Sequence, residues 1–385
     1  MNRRKPFMEP LRVALVAGTL GKGGAEKQLV LMVRALKQAN VDVRVFCATK
    51  GEHYESVLAE LGCAPIWFGK RQNPGYRVLK LMSLLRKFRP HLVQSAHFYT
   101  NLYVALASKP FRTLHFGGMR NDAIHEVEGN GRWGRPLIRM PSRLIANSDA
   151  AKQNAARYGV TPERIFVLPN VIDVADFDKR SQSPSHDVGP RSSTPTAFVV
   201  GRLVRAKRID RFLDALLLAN KKTEIRGVIV GDGVMRAELE SYAQQIGLSA
   251  ETISFIGWQN DLPQRLRQAD MLVIGSDHEG FPNVLLEAMA AKLPAIGTPA
   301  GEVPNVIEQG NTGFIVPFDD TEQMARCMVE LAQNKAQQIS MGEAARHLIE
   351  TKYSAKVLAD HLFAIYRKNL GPKKLEAIQQ LADSQ

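Results

Sequence analysis

Short apolar runs that end in glycine or a small polar residue alternate along the chain with stretches whose apolar residues recur at helical spacing. Six runs precede residue 181: LRVALVAG (11–18), VDVRVFCA (41–48), HLVQSA (91–96), RTLHFGG (112–118), RLIANS (143–148) and RIFVLPN (164–170). Six follow residue 195: TAFVVGRL (196–203), RGVIVGDG (226–233), ISFIGW (253–258), MLVIGS (271–276), PAIGT (294–298) and GFIVP (313–317). Strands buried on both faces read as near-continuous apolar runs, and Leu29, Met32, Val33 and Leu36 show the helical period that follows the first of them. The alternation predicts two parallel, doubly wound α/β domains, Rossmann-like in layout. The segment SQSPSHDVGPRSSTP (181–195) is rich in Ser and Pro and nearly free of apolar residues, so it reads as the linker between domains at 1–180 and 196–352. Ligands of such sheets lie outside the strand C-termini, so two facing domains would enclose a cleft.

Composition narrows the class. A chain of 385 residues with 45% apolar residues suits a globular, enzyme-sized protein of two domains. Cys47, Cys63 and Cys327 are scattered, with no C-x-x-C, which argues against a disulfide framework or a zinc site and for a reducing compartment. The basic start MNRRK before LRVALVAG is better read as leading into a first strand than as a signal peptide, because Arg12 interrupts it and a Gly-rich turn follows. No window offers the ~18 uncharged apolar residues of a membrane span, so a cytoplasmic protein is expected.

Charge changes the picture further. The net charge of +13 is uneven: residues 1–180 hold 29 Lys and Arg against 14 Asp and Glu, and residues 181–385 hold 22 against 24. The basic half suggests an anionic membrane surface as partner, giving a peripheral protein at the inner face of the cytoplasmic membrane. Two clusters are candidates: Lys80, Arg86, Lys87 and Arg89, interleaved with Leu81, Leu84, Leu85 and Phe88, and Arg132, Arg135, Arg139 and Arg143, with Trp133, Leu137, Ile138 and Met140 available for shallow insertion. The plainer alternative for the first cluster is a crossover helix whose apolar face meets the sheet. Nucleic acid is not expected as a partner, since no recognised motif accompanies the charge.

The turn after the first run, GTLGKGGAEKQLV (18–30), sits where a strand meets a helix N-terminus, yet it fails both phosphate fingerprints. No glycine in it opens a P-loop, and Glu26 stands where a dinucleotide fingerprint needs its third Gly.

The second half carries sharper chemistry. In GSDHEGFPNVLLEAMAAKLP, Glu279 lies just before a helix expected to start at Pro282 and to run toward Lys292, Glu287 lies in its second turn, and Pro282 and Asn283 at the helix start are donor-binding candidates. A carboxylate suits the vicinal hydroxyls of a sugar, and free N–H groups at the helix start suit a phosphate. In GRLVRAKRID, Arg202 and Lys207 stand five apart around a turn, where an Arg fork and a Lys point charge can grip a diphosphate without a metal. Gly231 and Gly233 read mainly as tight strand-to-helix packing.

The order G-R-L-x-x-x-K, G-D-G-x-x-R, F-I-G-W, E-G-F-P-x-x-x-x-E-A-M-A and G-x-T-G-F-I-V-P resembles the retaining nucleotide-sugar glycosyltransferases of family 4, from about Leu11 to about Leu370. The resemblance implies the two-Rossmann GT-B fold, with the segment 353–385 containing a last helix that crosses back to the first domain. It implies Arg202 and Lys207 as the diphosphate clamp, Glu279 with the backbone of Gly280 and Phe281 as holders of donor sugar and phosphate, and Glu287 as ribose ligand. Gly23 and Gly24 match the family's glycine loop, which faces the donor phosphate and borders the acceptor. His97 falls where the family has a histidine near the reacting sugar, and Arg120 and Asn121 are offered as acceptor-side contacts. Two positions depart from the pattern: Val171 follows Asn170 where a Gly is usual, and Asn305 replaces a common Glu. The D-x-D at Asp176–Asp178, a metal–nucleotide signature in the other glycosyltransferase fold, is read here as a turn.

The expected function is transfer of a sugar from a nucleoside diphosphate donor, UDP-sugar favoured, to a hydroxyl of a glycan or lipid-linked acceptor, with retention and without a metal or other cofactor. Bacterial cell-surface polysaccharide or lipopolysaccharide synthesis is the expected setting. A nucleotide-sugar 2-epimerase of similar fold and an inactive sugar-binding regulatory subunit are the alternatives.

Overall fold

The computed structural model describes residues 10–69, 73–183 and 192–371. The chain divides into two units, one formed by residues up to Asn170 together with those from Ala355, the other by Val171–Ser354.

The first unit is built on β1 (Arg12–Ala17), β2 (Asp42–Cys47), β3 (Ile66–Trp67), β4 (Leu92–Ser95), β5 (Leu114–Met119), β6 (Arg143–Ala146) and β7 (Ile165–Val167). They form one parallel sheet in the order β3-β2-β1-β4-β5-β6-β7. Order reverses between β1 and β4, so the crevice at their C-terminal ends is the switch point where such sheets take ligands. The first helix, Gly24–Gln38, buries Leu29, Met32, Val33 and Leu36 against the sheet, as its period predicts. The helix Leu358–Arg367 belongs to this unit: Tyr366 is fully buried, lies 5.9 Å from the Phe116 ring and donates to Gln94 Oε1 at 2.7 Å.

The second unit is built on β8 (Thr196–Val200), β9 (Arg226–Val230), β10 (Ile253–Gly257), β11 (Met271–Ile274), β12 (Ala295–Gly297) and β13 (Gly313–Ile315), parallel and ordered β10-β9-β8-β11-β12-β13. Its switch point lies between β8 and β11. Alternation along β11 sends Met271 and Val273 to a layer with Phe212, Leu216 and Met328, and Leu272 and Ile274 to a layer with Leu285, Met289 and Ile349. Both faces are therefore covered.

All twelve apolar runs become strands, and β3, only two residues long, is the one strand among the described residues that the pattern does not announce. The chain passes between units at Asn170 and Val171, ahead of the segment 181–195, of which residues 184–191 lie outside the described residues. Val171 is not among the positive-φ residues, so its backbone does not call for glycine. Asp176–Asp178 lies in a helix, Val174–Gln182, and not in a turn. Asp173 caps that helix by accepting from Asp176 N–H at 3.1 Å, and Asp178 takes two hydrogen bonds from Arg346 at 2.8 and 2.7 Å, which hold its carboxyl below the usual range.

The plainer alternative holds for the first basic cluster, and one expectation about lipid insertion needs correction. On the helix Pro74–Phe88, Leu81, Leu85 and Phe88 are buried and Leu84 is half-buried, so that apolar stripe is spent on the unit's own core. Leu137 and Ile138 are buried as well, packed with Phe98, Val127 and Leu144, and are not available for insertion. Tyr76, Leu79, Trp133 and Met140 are the exposed large apolar side chains of these segments. No helix among the described residues is long and apolar enough to cross a membrane.

Candidate functional site

In the second unit the turns after β8 and β11 meet at the switch point. Lys207, in the short helix Arg205–Lys207, donates to Glu279 Oε1 at 2.6 Å, and Ser276 Oγ donates to the same oxygen at 2.7 Å. Glu279 is 8% exposed, so the pair forms in a partly desolvated place where charge interactions are stronger than in water. The loop is held from behind. Thr298 Oγ1 donates to Ser276 O at 2.6 Å, and Glu302 N–H donates to Gly280 O at 3.1 Å. Gly301 has φ +56° and lies so close that a Cβ would collide with the carbonyl oxygens of Glu279 and Gly280, which gives that glycine two reasons.

The helix Asn283–Ala290 starts one residue later than expected, with Pro282 as its extended N-cap. The side chain of Phe281 is buried against Tyr353, with ring centroids 5.7 Å apart, so only its backbone faces the loop chemistry. Asn283 and Glu287 are half-buried on this helix. Arg202 is exposed and shares no hydrogen bond or ion pair with Lys207 or Glu279 among the described residues. A Cβ at Gly231 would strike Gly201 O and one at Gly233 would strike Leu203 O, so both glycines serve close backbone packing.

In the first unit, Gly23 is the N-cap of the first helix and Gly24 its first residue. His97 follows β4 and is 8% exposed. Its Nδ1 accepts from Gly18 N–H at 3.1 Å, and its Nε2 lies 3.1 Å from Glu26 Oε1. Thr19 Oγ1 donates to the same oxygen at 2.5 Å. Burial alone would raise the Glu26 carboxyl, but the hydrogen bonds from His97 and Thr19 outweigh it and hold the group below its ordinary value. Neither Glu26 nor the Ser276 and Gly301 supports stand out in the sequence; the signal for Glu26 is its place three residues after the helix N-cap, where a glutamate favours the helix start.

Arg120 follows β5 and turns inward. Its Nη2 lies 3.8 Å from Met32 Sδ and its Nε has no hydrogen-bond partner among the described residues. Burial pulls its guanidinium down to about 10. Glu126 accepts from the Arg120 backbone N–H at 3.1 Å and is pushed up to about 7 by burial. Asn121 is half-buried beside it. The three cysteines are buried and free, and burial pushes their thiols up.

Residues 22–176 match the family described as Glycosyltransferase Family 4, and residues 184–348 match Glycosyl transferases group 1. D-inositol 3-phosphate glycosyltransferase of Corynebacterium kroppenstedtii is 31% identical over 246 residues, which is 60% of this chain and 54% of that protein. The Escherichia coli protein named UDP-Gal:alpha-D-GlcNAc-diphosphoundecaprenol alpha-1,3-galactosyltransferase is 26% identical over 304 residues, 75% of this chain and 78% of that one. The chain spans about half the length of curated relatives it matches, 53% and 54% in two of them. Anabaena Alr3699/HepE, solved in complex with UDP, superposes with a TM-score of 0.78 at 18% identity, covering 93% of this chain and 100% of that one. The two parallel-sheet units are those of the GT-B fold, and the chain belongs to the glycosyltransferases of group 1 and family 4.

Proposed function

We propose that this protein transfers a sugar from a nucleoside diphosphate donor to a hydroxyl, retaining the anomeric configuration. The observation that carries the reading is the Lys207–Glu279 contact at the switch point of the second unit, beside the start of the helix Asn283–Ala290. Lys207 and Arg202 neutralise the departing diphosphate; Glu279, Gly280 and Phe281 hold donor sugar and phosphate, and Glu287 binds the ribose. The bond from the anomeric carbon to the diphosphate oxygen breaks as the acceptor oxygen bonds to the same face. The acceptor's proton goes to the leaving diphosphate oxygen. Fixed cations aimed at developing charge supply the stabilisation, and no metal is required.

UDP is the favoured nucleotide, since the Anabaena structure holds it and the Escherichia coli relative is named for a UDP-sugar. That relative's name also supports a lipid-linked glycan acceptor in cell-surface polysaccharide or lipopolysaccharide synthesis. The resemblance supports Arg120 and Asn121 as acceptor-side residues, although the Arg120 guanidinium turns inward against Met32 in this structure. The epimerase and regulatory-subunit alternatives have no observation in their favour.

A panel of nucleotide sugars, assayed for hydrolysis and thermal stabilisation, tests the reading: one or more UDP-sugars should be turned over and should raise the melting temperature. Inertness toward the whole panel would overturn it.

The same reading includes peripheral attachment to the cytoplasmic face of an anionic membrane through the basic half of the chain. Exposed Tyr76, Leu79, Trp133 and Met140 lie among its cations. Attachment should be lost as the Debye length contracts from ~10 Å at 0.1 M salt to ~3 Å at 1 M. Sedimentation with anionic but not neutral vesicles, reversed by salt, is the expected result; equal recovery in the supernatant with both would remove the membrane from the proposal.

A further inference from the structure

Glu26 is left unused by the transfer scheme, yet it sits at the crevice between β1 and β4. Its Oε1 is shared by Thr19 Oγ1 and His97 Nε2. Because the Gly18 amide can only donate to His97 Nδ1, that nitrogen carries the lone pair, and the single ring proton lies on Nε2 facing the carboxylate. Both ring nitrogens are thus committed. The Tyr99 ring stacks on His97 with centroids 5.4 Å apart and also covers Gly18, where a Cβ would collide with it.

The second carboxylate oxygen explains a glycine. A Cβ at Gly23 would strike Glu26 Oε2, although the backbone there has φ −143°, which any residue adopts. Gly23 makes room for the carboxylate. One side chain therefore joins the turn after β1, the start of the first helix and the turn after β4. In a histidine that passes protons, a partner holds one nitrogen and the other faces substrate. Here neither is open.

We infer that Glu26 is a positioning residue of the first unit's ligand crevice: it fixes His97 as a neutral Nε2–H donor, and with it the Gly18–Gly23 turn. His97 then serves by placement and does not relay a proton. The inference rests on the transferase reading for its kinetic arm alone; its spectroscopic arm is independent of activity.

The full chain labelled with 15N-histidine provides that arm. Wild-type His97 should show one ring proton, on Nε2, moved downfield and protected from solvent exchange, assigned by its absence in His97→Gln. Glu26→Ala should lose the protection, and Glu26→Gln, whose amide oxygen still accepts, should keep it. With the UDP-sugar that the wild type turns over fastest, Glu26→Ala should lower kcat by about a hundredfold, the scale of misplaced reacting groups. His97→Gln, whose amide can still donate to Glu26, should stay within about tenfold and keep both limbs of the pH profile; a proton-relaying histidine would instead cost about 100- to 10,000-fold and remove a limb. That second outcome, a ring proton on Nδ1, or full protection in Glu26→Ala would overturn the assignment. Should Glu26→Ala fail to fold, the His97→Gln profile and the wild-type tautomer decide it. A wild type inert on every nucleotide sugar would defeat the transferase reading and leave the ring proton to decide this one.

Discussion

Both units place a carboxylate at the switch point of the sheet, on opposite sides of it, and pair it differently. In the second unit Glu279, after β11, holds the ammonium of Lys207, which comes from the turn after β8. In the first unit Glu26, after β1, holds the imidazole of His97, which comes after β4. A lysine brings a positive charge that a diphosphate can use. The histidine, with its Nδ1 filled by Gly18, brings only a directed N–H. The switch point of a doubly wound sheet supplies a place for chemistry, and the partner of the carboxylate decides whether that place offers charge or orientation.

The largest test of this contrast is removal of the cations. Lys207→Ala and Arg202→Ala should each reduce turnover by about a hundredfold or more, the scale of losing one preorganised donor, while both proteins remain folded. Full activity in either would remove the clamp. Glu279→Gln, which leaves an oxygen for Ser276 but no charge for Lys207, should cost less, about tenfold, seen in kcat/KM. Structure behind the site is the next lever. Gly301→Ala must adopt a strained φ and push against the Glu279 backbone, so about 3 kcal/mol of stability should be lost in denaturant titration. Wild-type stability would show that the loop yields freely. Turnover in EDTA should match turnover in magnesium; strict dependence on a divalent metal would count against two cations standing in for it. A pH-dependent effect concerns Glu126. Its pKa is raised to about 7, so folding favours the protonated form; that stability is complete below the unfolded value and is lost as pH rises through about 7. Glu126→Gln should therefore melt higher than wild type at pH 8 and equally at pH 4, and an unchanged difference across that range would contradict the shift.

Much of this was legible in the chain. Alternating runs gave away twelve strands because strands buried on both faces leave nothing polar to confuse the period. β3 was hidden because two residues carry no period. Asp173 could have revealed the helix that holds Asp176 and Asp178, since an aspartate before an amphipathic run is a cap signal, but the adjacent Ser- and Pro-rich segment masked it. Leu137 and Ile138 looked free to meet lipid because six-residue helices are too short to show which face is inward. At the sites, Lys207 and Glu279 are 72 residues apart, and only the resemblance joined them before the structure did. Glu26 shows in the sequence only as the residue that breaks a dinucleotide fingerprint, and its partner lies 71 residues away on another turn. Spacing along a chain does not report pairs of that separation.

Calorimetric titration of UDP into wild type, Lys207→Ala and Glu26→Gln tests the division of labour most directly. Lys207→Ala should weaken UDP by at least about tenfold, about 1.4 kcal/mol of lost binding, because a diphosphate loses its nearest charge. Glu26→Gln should bind UDP within about threefold of wild type, since the first unit's pair supplies no charge to it. Equal loss in the two variants, or wild-type affinity in Lys207→Ala, would contradict the assignment of charge to one unit and orientation to the other.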